Sequence, residues 1–196
     1  LLRHMFLNSI RFNRKKFTAE YGEIVLCCDN KNVWRRDYYP YYKANRKKSR
    51  DDSDLDWNAL FEIIHRIRAE IEEFFPYKVV SVDRCEADDI IATLCMEHGT
   101  ELNTGSEKIL VLSGRQKPMT KKRIEQFTQN PESMDEETRL RFKRNKQMID
   151  LTQIPQEFID QILENYNNNP DVGRGHLFNY FVKNKLKGLI GDLQDF

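Results

Sequence analysis

The chain has 196 residues, enough for one large domain or for a core domain joined to a small helical one. Its 32 basic and 31 acidic residues leave a net charge of +1, so a basic surface has to be local. No segment is apolar enough to span a bilayer, no secretory signal is visible, and the Cys and His residues lack zinc spacing. We therefore expect neither a membrane span nor a zinc site.

Short apolar runs alternate with amphipathic segments up to residue 113. Residues 24–28 form a continuous apolar run, typical of a strand covered on both faces. After a long polar connection, Asp56 can cap a helix that ends before Pro76. The pattern predicts helix 2–17, strand 24–28, a helix between Asp56 and Pro76, strand 79–82, helix 86–98 and strand 109–112. Apolar residues at helical spacing are Met5, Phe6, Ile10, Phe17, Leu60, Ile64, Ile67, Ile71, Phe74, Ile90, Ile91, Leu94 and Cys95.

The character of the chain changes after Ser113, where the remaining pattern is helical. Helices are predicted at 118–128, 135–146, 155–165 and 175–187. Helices alternating with strands indicate an α/β fold, with a central, mainly parallel sheet flanked by helices. We predict an α/β core over residues 1–113 and a smaller all-helical C-terminal domain over residues 114–196. Within the core, residues 31–56 form a basic segment that we expect to act as an arch.

Four carboxylates lie where the first two predicted strands end. Asp29 follows the first strand, and Glu86, Asp88 and Asp89 open the helix after the second. Adjacent parallel strands are about 4.8 Å apart, and active sites lie beyond their carboxyl ends, so the four can share one region. Crowded carboxylates suit Mg²⁺ or Mn²⁺, and two such ions can cleave a phosphodiester. The alternative is that the helix residues favour the positive end of the helix dipole and that Asp29 begins a turn.

The basic segment combines cations with aromatic rings. From residue 31 to residue 50 it holds eight Lys or Arg residues and one acid, Asp37. Pro40 interrupts any helix, so a mobile lid or arch is expected. Cations bind phosphates while tyrosine rings stack on bases, so the pattern predicts nucleic-acid binding; the alternative is a solvated charged surface. The tyrosines are Tyr38, Tyr39, Tyr41 and Tyr42.

In order and spacing, these motifs resemble those of the structure-specific 5′-nuclease family, which includes flap endonucleases and the 5′-nuclease domains of bacterial DNA polymerase I. The matching motifs are Asp29 at the strand end, Trp34-Arg35, Tyr42-Lys43-Ala44-Asn45-Arg46 and Glu86-Ala87-Asp88-Asp89. A phage branch of this family, the ribonucleases H of T-even-like bacteriophages, is similar over most of the chain. That likeness is carried by Leu7-Asn8-Ser9-Ile10, Trp34-Arg35-Arg36-Asp37 and Tyr180-Phe181-Val182-Lys183.

The resemblance implies a PIN-like core with Mg²⁺-dependent 5′-to-3′ exonuclease and flap endonuclease activity, which removes RNA primers from lagging-strand fragments. It also implies that two Mg²⁺ ions, replaceable by Mn²⁺, are held by Asp29, Glu86, Asp88 and Asp89. Lys43 would act in catalysis by offsetting developing negative charge. The nucleic-acid-binding residues implied are Arg35, Arg36, Tyr42, Lys43 and Arg46.

The same resemblance implies particular substrates and partners. The substrates would be RNA–DNA hybrids, duplexes with a 5′ end, and flap or fork DNA. The partners would be a single-stranded-DNA-binding protein and a sliding clamp, met by a monomer at the replication fork in the host bacterial cytoplasm.

The chain departs from the family in two places. The family has an early aspartate on its first strand and an Asp-x-Asp after a later strand, and neither is seen here. We expect the N-terminal strand and a loop region near residues 113 and 114 to be missing from the given chain. Two alternatives therefore stay open: a non-catalytic DNA-binding protein on the same scaffold, and a metal-dependent ribonuclease.

Overall fold

The computed structural model describes residues 2–98, 125 and 129–196. The first range contains α1 (Leu2–Tyr21), β1 (Val25–Cys27), α2 (Arg35–Tyr38), α3 (Asn45–Asp51), α4 (Trp57–Phe74), β2 (Lys78–Val80) and α5 (Ala87–Glu97). The last contains α6 (Glu136–Ile149), α7 (Gln156–Asn167), α8 (Leu177–Lys183) and α9 (Lys187–Ile190), with 3-10 turns at Pro131–Ser133, Leu151–Gln153 and Leu193–Asp195. Strand 109–112, the boundary near residue 113 and all but residue 125 of helix 118–128 are predictions that lie outside the described residues.

The strands β1 and β2 form a parallel pair, as predicted. Their register pairs Leu26 with Val79 and Cys27 with Val80. Since successive side chains of a strand point to opposite faces, Leu26 and Val79 face one layer of helices, while Cys27 and Val80 face the other. The α/β class, the parallel pairing and the helical C-terminal region are therefore confirmed.

Each face of the sheet carries its own hydrophobic core. The first core packs α1, α4 and α8 on the sheet; its buried members are Leu7, Ile10, Ile67, Ile71, Phe75, Tyr77, Val79, Leu177, Tyr180, Phe181, Leu186, Leu189 and Phe196. The second core packs α5 and α7 on the other face; its buried members are Trp34, Val80, Val82, Cys85, Ile90, Ala92, Leu94, Ile154, Phe158 and Ile162. Both cores draw on both predicted domains, so the described C-terminal helices complete the layers of the α/β part.

Parts of the predicted apolar helix faces are exposed. Of α1, only Leu7 and Ile10 are buried, because this helix contacts the first core along a short stretch. Hydrophobic spacing marks the apolar face of a helix but does not tell how much of it another element covers. The residues of these faces that are exposed are Met5, Phe6, Phe17, Ile64 and Ile91. None of the helices in the described ranges has the length and apolarity needed to cross a membrane.

The predicted single helix over 175–187 is wrong, because a Schellman motif divides it. Lys185 has a φ of 57°, in the left-handed region. The Lys185 N–H donates to the Val182 carbonyl (3.1 Å), and the Leu186 N–H donates to the Phe181 carbonyl (2.9 Å). These two bonds satisfy the last carbonyls of α8 and end it. The turn directs Leu186 and Leu189 into the first core.

The outer edge of β2 is capped by one side chain. The Asn169 amide donates from Nδ2 to the Val79 carbonyl (2.8 Å), and its Oδ1 accepts from the Val79 N–H (3.2 Å). Both backbone groups of Val79 are thus satisfied by this side chain on the side of β2 that faces away from β1. Nearby, the Lys78 ammonium donates to the Tyr166 carbonyl at the end of α7 (2.9 Å).

A polar cluster ties α1 to α4 and α8. The Arg3 guanidinium donates to both carboxylate oxygens of Glu70 (2.6 and 2.7 Å), and the Tyr180 hydroxyl donates to Glu70 Oε2 (2.7 Å). Burial alone would raise the pKa of Glu70, but the hydrogen bonds from Arg3 and Tyr180 outweigh it and hold the pKa below its usual value. Glu70 therefore stabilises the fold in its charged form.

We predict that Glu70→Gln lowers the free energy of unfolding by about 1 kcal/mol at pH 7, because the charge-assisted bonds are partly exposed. For a chain of this size the corresponding loss in Tm is about 3 °C. Because the folded-state pKa of Glu70 is lowered, its contribution is complete above the unfolded pKa of about 4.3 and disappears as the pH falls through the folded pKa. Urea denaturation from pH 7 to pH 3 should show the two proteins converging at the acid end; a constant difference would contradict the role of the charge.

Candidate active site

Asp29, the first of the four predicted acids, lies where the sequence predicts, at the carboxyl ends of the two strands. Asp29 follows β1, and its Oδ1 accepts a hydrogen bond from the Ala87 N–H at the start of α5 (2.8 Å). This contact joins the end of β1 to the turn that carries Glu86 and Asp88. The carboxylate of Asp29 is exposed. Asp29 and the acidic start of α5 therefore lie together beyond the carboxyl ends of the strands.

Backbone hydrogen bonds hold these two segments in place. The Asn30 N–H donates to the Cys85 carbonyl (3.0 Å), and the Trp34 N–H donates to the Arg84 carbonyl (2.9 Å). Arg84 has a φ of 64°, which lets the chain turn sharply between β2 and α5. The chain after β1 is thus fixed to the turn after β2, and the side chains of both segments converge.

A buried ion pair forms the floor of the site. Asp89 is 0% exposed and Arg35 is 2% exposed. The guanidinium of Arg35 binds both carboxylate oxygens of Asp89, at 2.6 and 2.8 Å, in a bidentate arrangement. Asp89 Oδ2 also accepts from the Trp34 indole N–H (3.1 Å) and from the Glu86 N–H (2.9 Å). Burial lowers the pKa of Arg35, but the hydrogen bond and the charge of Asp89 outweigh burial and raise it.

Glu86 lies above this floor and accepts bonds from three side chains. Its Oε2 receives the Arg35 guanidinium (3.0 Å) and the Tyr42 hydroxyl (2.9 Å). Its Oε1 receives the ammonium of Lys43. Burial, together with the charge of Glu86, raises the pKa of the Tyr42 hydroxyl, which remains a donor. The residue is 7% exposed, so its charge is balanced mainly by Arg35 and Lys43.

The carboxylates differ in what they can offer a metal ion. Asp29 and Asp88 are exposed, and Asp29 Oδ2 accepts no hydrogen bond within the described part of the chain. Mg²⁺ commonly binds through one or two carboxylates and keeps several waters, so this donor set fits such an ion. Asp89 does not fit, because Arg35, Trp34 and the Glu86 N–H saturate it. Within the described residues, no three His, Cys, Asp or Glu side chains come together as a ready-made metal cluster.

The residues predicted to bind nucleic acid differ in their exposure. Arg36 and Arg46 are exposed, and Tyr42 and Lys43 are half-buried at Glu86. Arg35 is buried: its Nε donates to the Met148 carbonyl in α6 (2.7 Å) and its other nitrogens to the two acids. In the structure Arg35 thus binds groups of the protein itself, whereas the resemblance implies that it binds phosphate.

Sequence reasoning did not find the support that α6 gives to the basic segment. Besides the Arg35–Met148 bond, the guanidinium of Arg144 lies 4.4 Å from the centroid of the Tyr39 ring. The hydrogen bond from the Glu86 N–H to Asp89 could have been predicted from the sequence, because Glu86 and Asp89 occupy the N-cap and N3 positions of a capping box. The contacts to α6 leave no such pattern in the sequence, because Met148 is 113 residues from Arg35.

Comparisons with known proteins agree with the motifs. Residues 3–120 match the description "5'-3' exonuclease, N-terminal resolvase-like domain", and residues 101–196 match "T4 RNase H, C terminal". Ribonuclease H of Enterobacteria phage T4 is 45% identical over 116 residues. The match covers 58% of this chain, and the chain spans 37% of the length of that relative. The resemblance read from the motifs is thereby confirmed.

We predict very different effects on stability for substitutions of the neighbouring acids Asp88 and Asp89 of α5. Asp89→Asn should lower the free energy of unfolding by about 3 kcal/mol, because it leaves the buried Arg35 without its main counter-charge. Asp88→Asn, the matched control on the exposed side, should change it by less than about 0.5 kcal/mol. Urea denaturation at pH 7 measures both; equal effects would show that the Arg35–Asp89 pair does not hold the floor of the site together.

Proposed function

The chain belongs to the 5'-3' exonuclease family, and from this premise we propose that it is a Mg²⁺-dependent nuclease that cleaves phosphodiester bonds from a 5′ end. The observation that carries the proposal is the hydrogen bond from the Ala87 N–H to Asp29. It brings an exposed carboxylate after β1 beside Glu86 and Asp88, where open α/β sheets place their active sites. The basic segment contacts Glu86 through Tyr42 and Lys43.

The proposed activity is that of a 5′-to-3′ exonuclease and flap endonuclease. Its substrates would be RNA–DNA hybrids, duplexes with a 5′ end, and flap or fork DNA. In phage DNA replication it would remove RNA primers from lagging-strand fragments. We further propose that it works as a monomer at the replication fork in the host bacterial cytoplasm, with a single-stranded-DNA-binding protein and a sliding clamp as partners. The relationship to a phage ribonuclease H supports these assignments.

In this proposal Asp29, Asp88 and Glu86 would hold a divalent ion, directly or through water. The ion would be Mg²⁺, or Mn²⁺ in its place, and two such ions would act as a pair. They would supply a Lewis acid and an activated water. Asp89 is a positioning residue: by binding Arg35 and the Glu86 N–H, it fixes the position of Glu86. In this proposal the four predicted acids have two different tasks: three hold the ion and one positions Glu86.

The basic segment would bind the substrate strand. Arg36 and Arg46 are exposed, so both can reach phosphate oxygens. The Tyr42 ring can stack on the base at the 5′ end, and Lys43 can offset negative charge that develops on the phosphate. Arg35 contributes by holding the base of the segment against α5 and α6.

We predict that Asp88→Asn lowers Mg²⁺-dependent cleavage of a 5′-flap DNA and of an RNA–DNA hybrid by at least about 100-fold, because it removes one proposed metal ligand. Affinity for the flap DNA, measured by fluorescence anisotropy in Ca²⁺, should stay within about twofold, since the basic segment is unchanged. Retained cleavage would refute the metal role of Asp88. Absence of turnover in the unmodified chain, with salt-sensitive DNA binding, would favour a non-catalytic binding protein.

Lys43→Ala should slow single-turnover cleavage more than it weakens binding, because charge on the phosphate grows toward the transition state. We expect a rate loss of about 100-fold with an affinity loss of about threefold. Rapid-quench kinetics and anisotropy titrations on the same 5′-flap DNA separate the two quantities. Equal losses would mean that Lys43 only anchors the phosphate.

A further inference from the structure

Two cations bind the Glu86 carboxylate, and they differ in how easily they can leave. The Arg35 side chain is 3% exposed and is fixed by Asp89 and by the Met148 carbonyl. The Lys43 side chain is 30% exposed, and Glu86 is its one ion-pair partner within the described part of the chain. A competing cation that arrives from solvent would therefore displace Lys43 and leave Arg35 in place.

The backbone at Lys43 is held in a conformation that its residue type disfavours. Its φ is 55°, a left-handed value that a lysine seldom adopts. The conformation directs the ammonium to Glu86 Oε1 and places it 5.1 Å from the centroid of the Tyr42 ring. Strained residues of this kind persist where surrounding contacts hold them, and they are common at switching positions. When the bond to Glu86 is lost, one contact that holds this conformation is lost with it.

We propose that Lys43 is an internal counter-ion that occupies Glu86 until a divalent cation binds beside Asp29 and Asp88. Binding of that cation releases the Lys43 ammonium from Glu86 and makes it available to a substrate phosphate. The inference rests on the proposed function, because it concerns the same carboxylates. It adds an order of events: the ammonium that meets the phosphate is freed by the metal ion.

Charge balance supports this exchange. Asp29, Glu86 and Asp88 would together carry three negative charges, while the charge of Arg35 is largely taken up by Asp89. Lys43 is therefore the main positive charge on the open side of Glu86 in the described structure. Like charges disfavour each other at short range in a partly buried site, so Lys43 and a divalent cation compete for Glu86 Oε1.

The first test measures whether Lys43 is released. The chain is treated briefly with an amine-acetylating reagent, with and without Mg²⁺ at matched ionic strength, and labelling is quantified by peptide mass spectrometry. Labelling of Lys43 should rise about threefold with Mg²⁺, because the free population grows. Lys47, an exposed lysine of the same segment, is the internal control and should not change. Unchanged labelling of Lys43 at saturating Mg²⁺ would overturn the proposal.

The second test measures competition without nucleic acid. Mn²⁺ affinity, from isothermal titration calorimetry, should become about fivefold tighter in Lys43→Met, which keeps the aliphatic stem but removes the competing charge. Lys47→Met removes the same charge nearby and should change the affinity less than about twofold. Equal tightening in both variants would show a general charge effect and overturn the exchange.

The two proposals fail in different ways. If Mn²⁺ does not bind this chain at all, or binds unchanged in Glu86→Gln, the metal site of the proposed function is refuted, and the exchange is refuted with it. If Mn²⁺ binding depends on Glu86 but is the same in Lys43→Met and in the unmodified chain, only the exchange is refuted. Thermal denaturation of each variant checks that it is folded before the titrations are compared.

Discussion

The buried ion pair between Arg35 and Asp89 is the interaction on which the rest of the site depends. A charge at 2% or 0% exposure is stable only when it is fully paired, so neither partner can be changed alone. Through its remaining nitrogens, Arg35 also binds Glu86 and the Met148 carbonyl. One guanidinium therefore joins the basic segment to the start of α5 and the end of α6, next to the exposed acids Asp29 and Asp88.

The two cores hold the segments that carry this ion pair against the sheet. The sheet has only two described strands, of three residues each, and by itself it could not support a site. Helices from the beginning and the end of the chain cover both of its faces. Trp34 connects the second core to the ion pair, because its ring packs in that core while its indole N–H binds Asp89. Packing of α7 therefore bears directly on the geometry of the acids.

Much of this organisation could be predicted from the sequence, because local and periodic signals carry it. The strand before Asp29, the cap at Asp56 and the clustering of acids beyond parallel strands all have such signals, and the structure contains them. The burial of Arg35 could not be predicted, because its partners come from two distant segments, the start of α5 and the end of α6. The exposed face of α1 was not predicted, because hydrophobic spacing does not tell which residues other elements cover. The break at Lys185 was not predicted, because the same spacing does not indicate left-handed backbone.

The cap at Asn169 has a consequence for how this molecule meets its own copies. A bare strand edge is a template on which a second chain can pair, and such pairing is the usual start of edge-to-edge aggregation. By bonding to both backbone groups of Val79, a single amide removes that template at this position on the outer side of β2. Within the described part of the chain, the backbone of β2 therefore offers a second copy no free donor and acceptor pair at Val79 on which to extend the sheet.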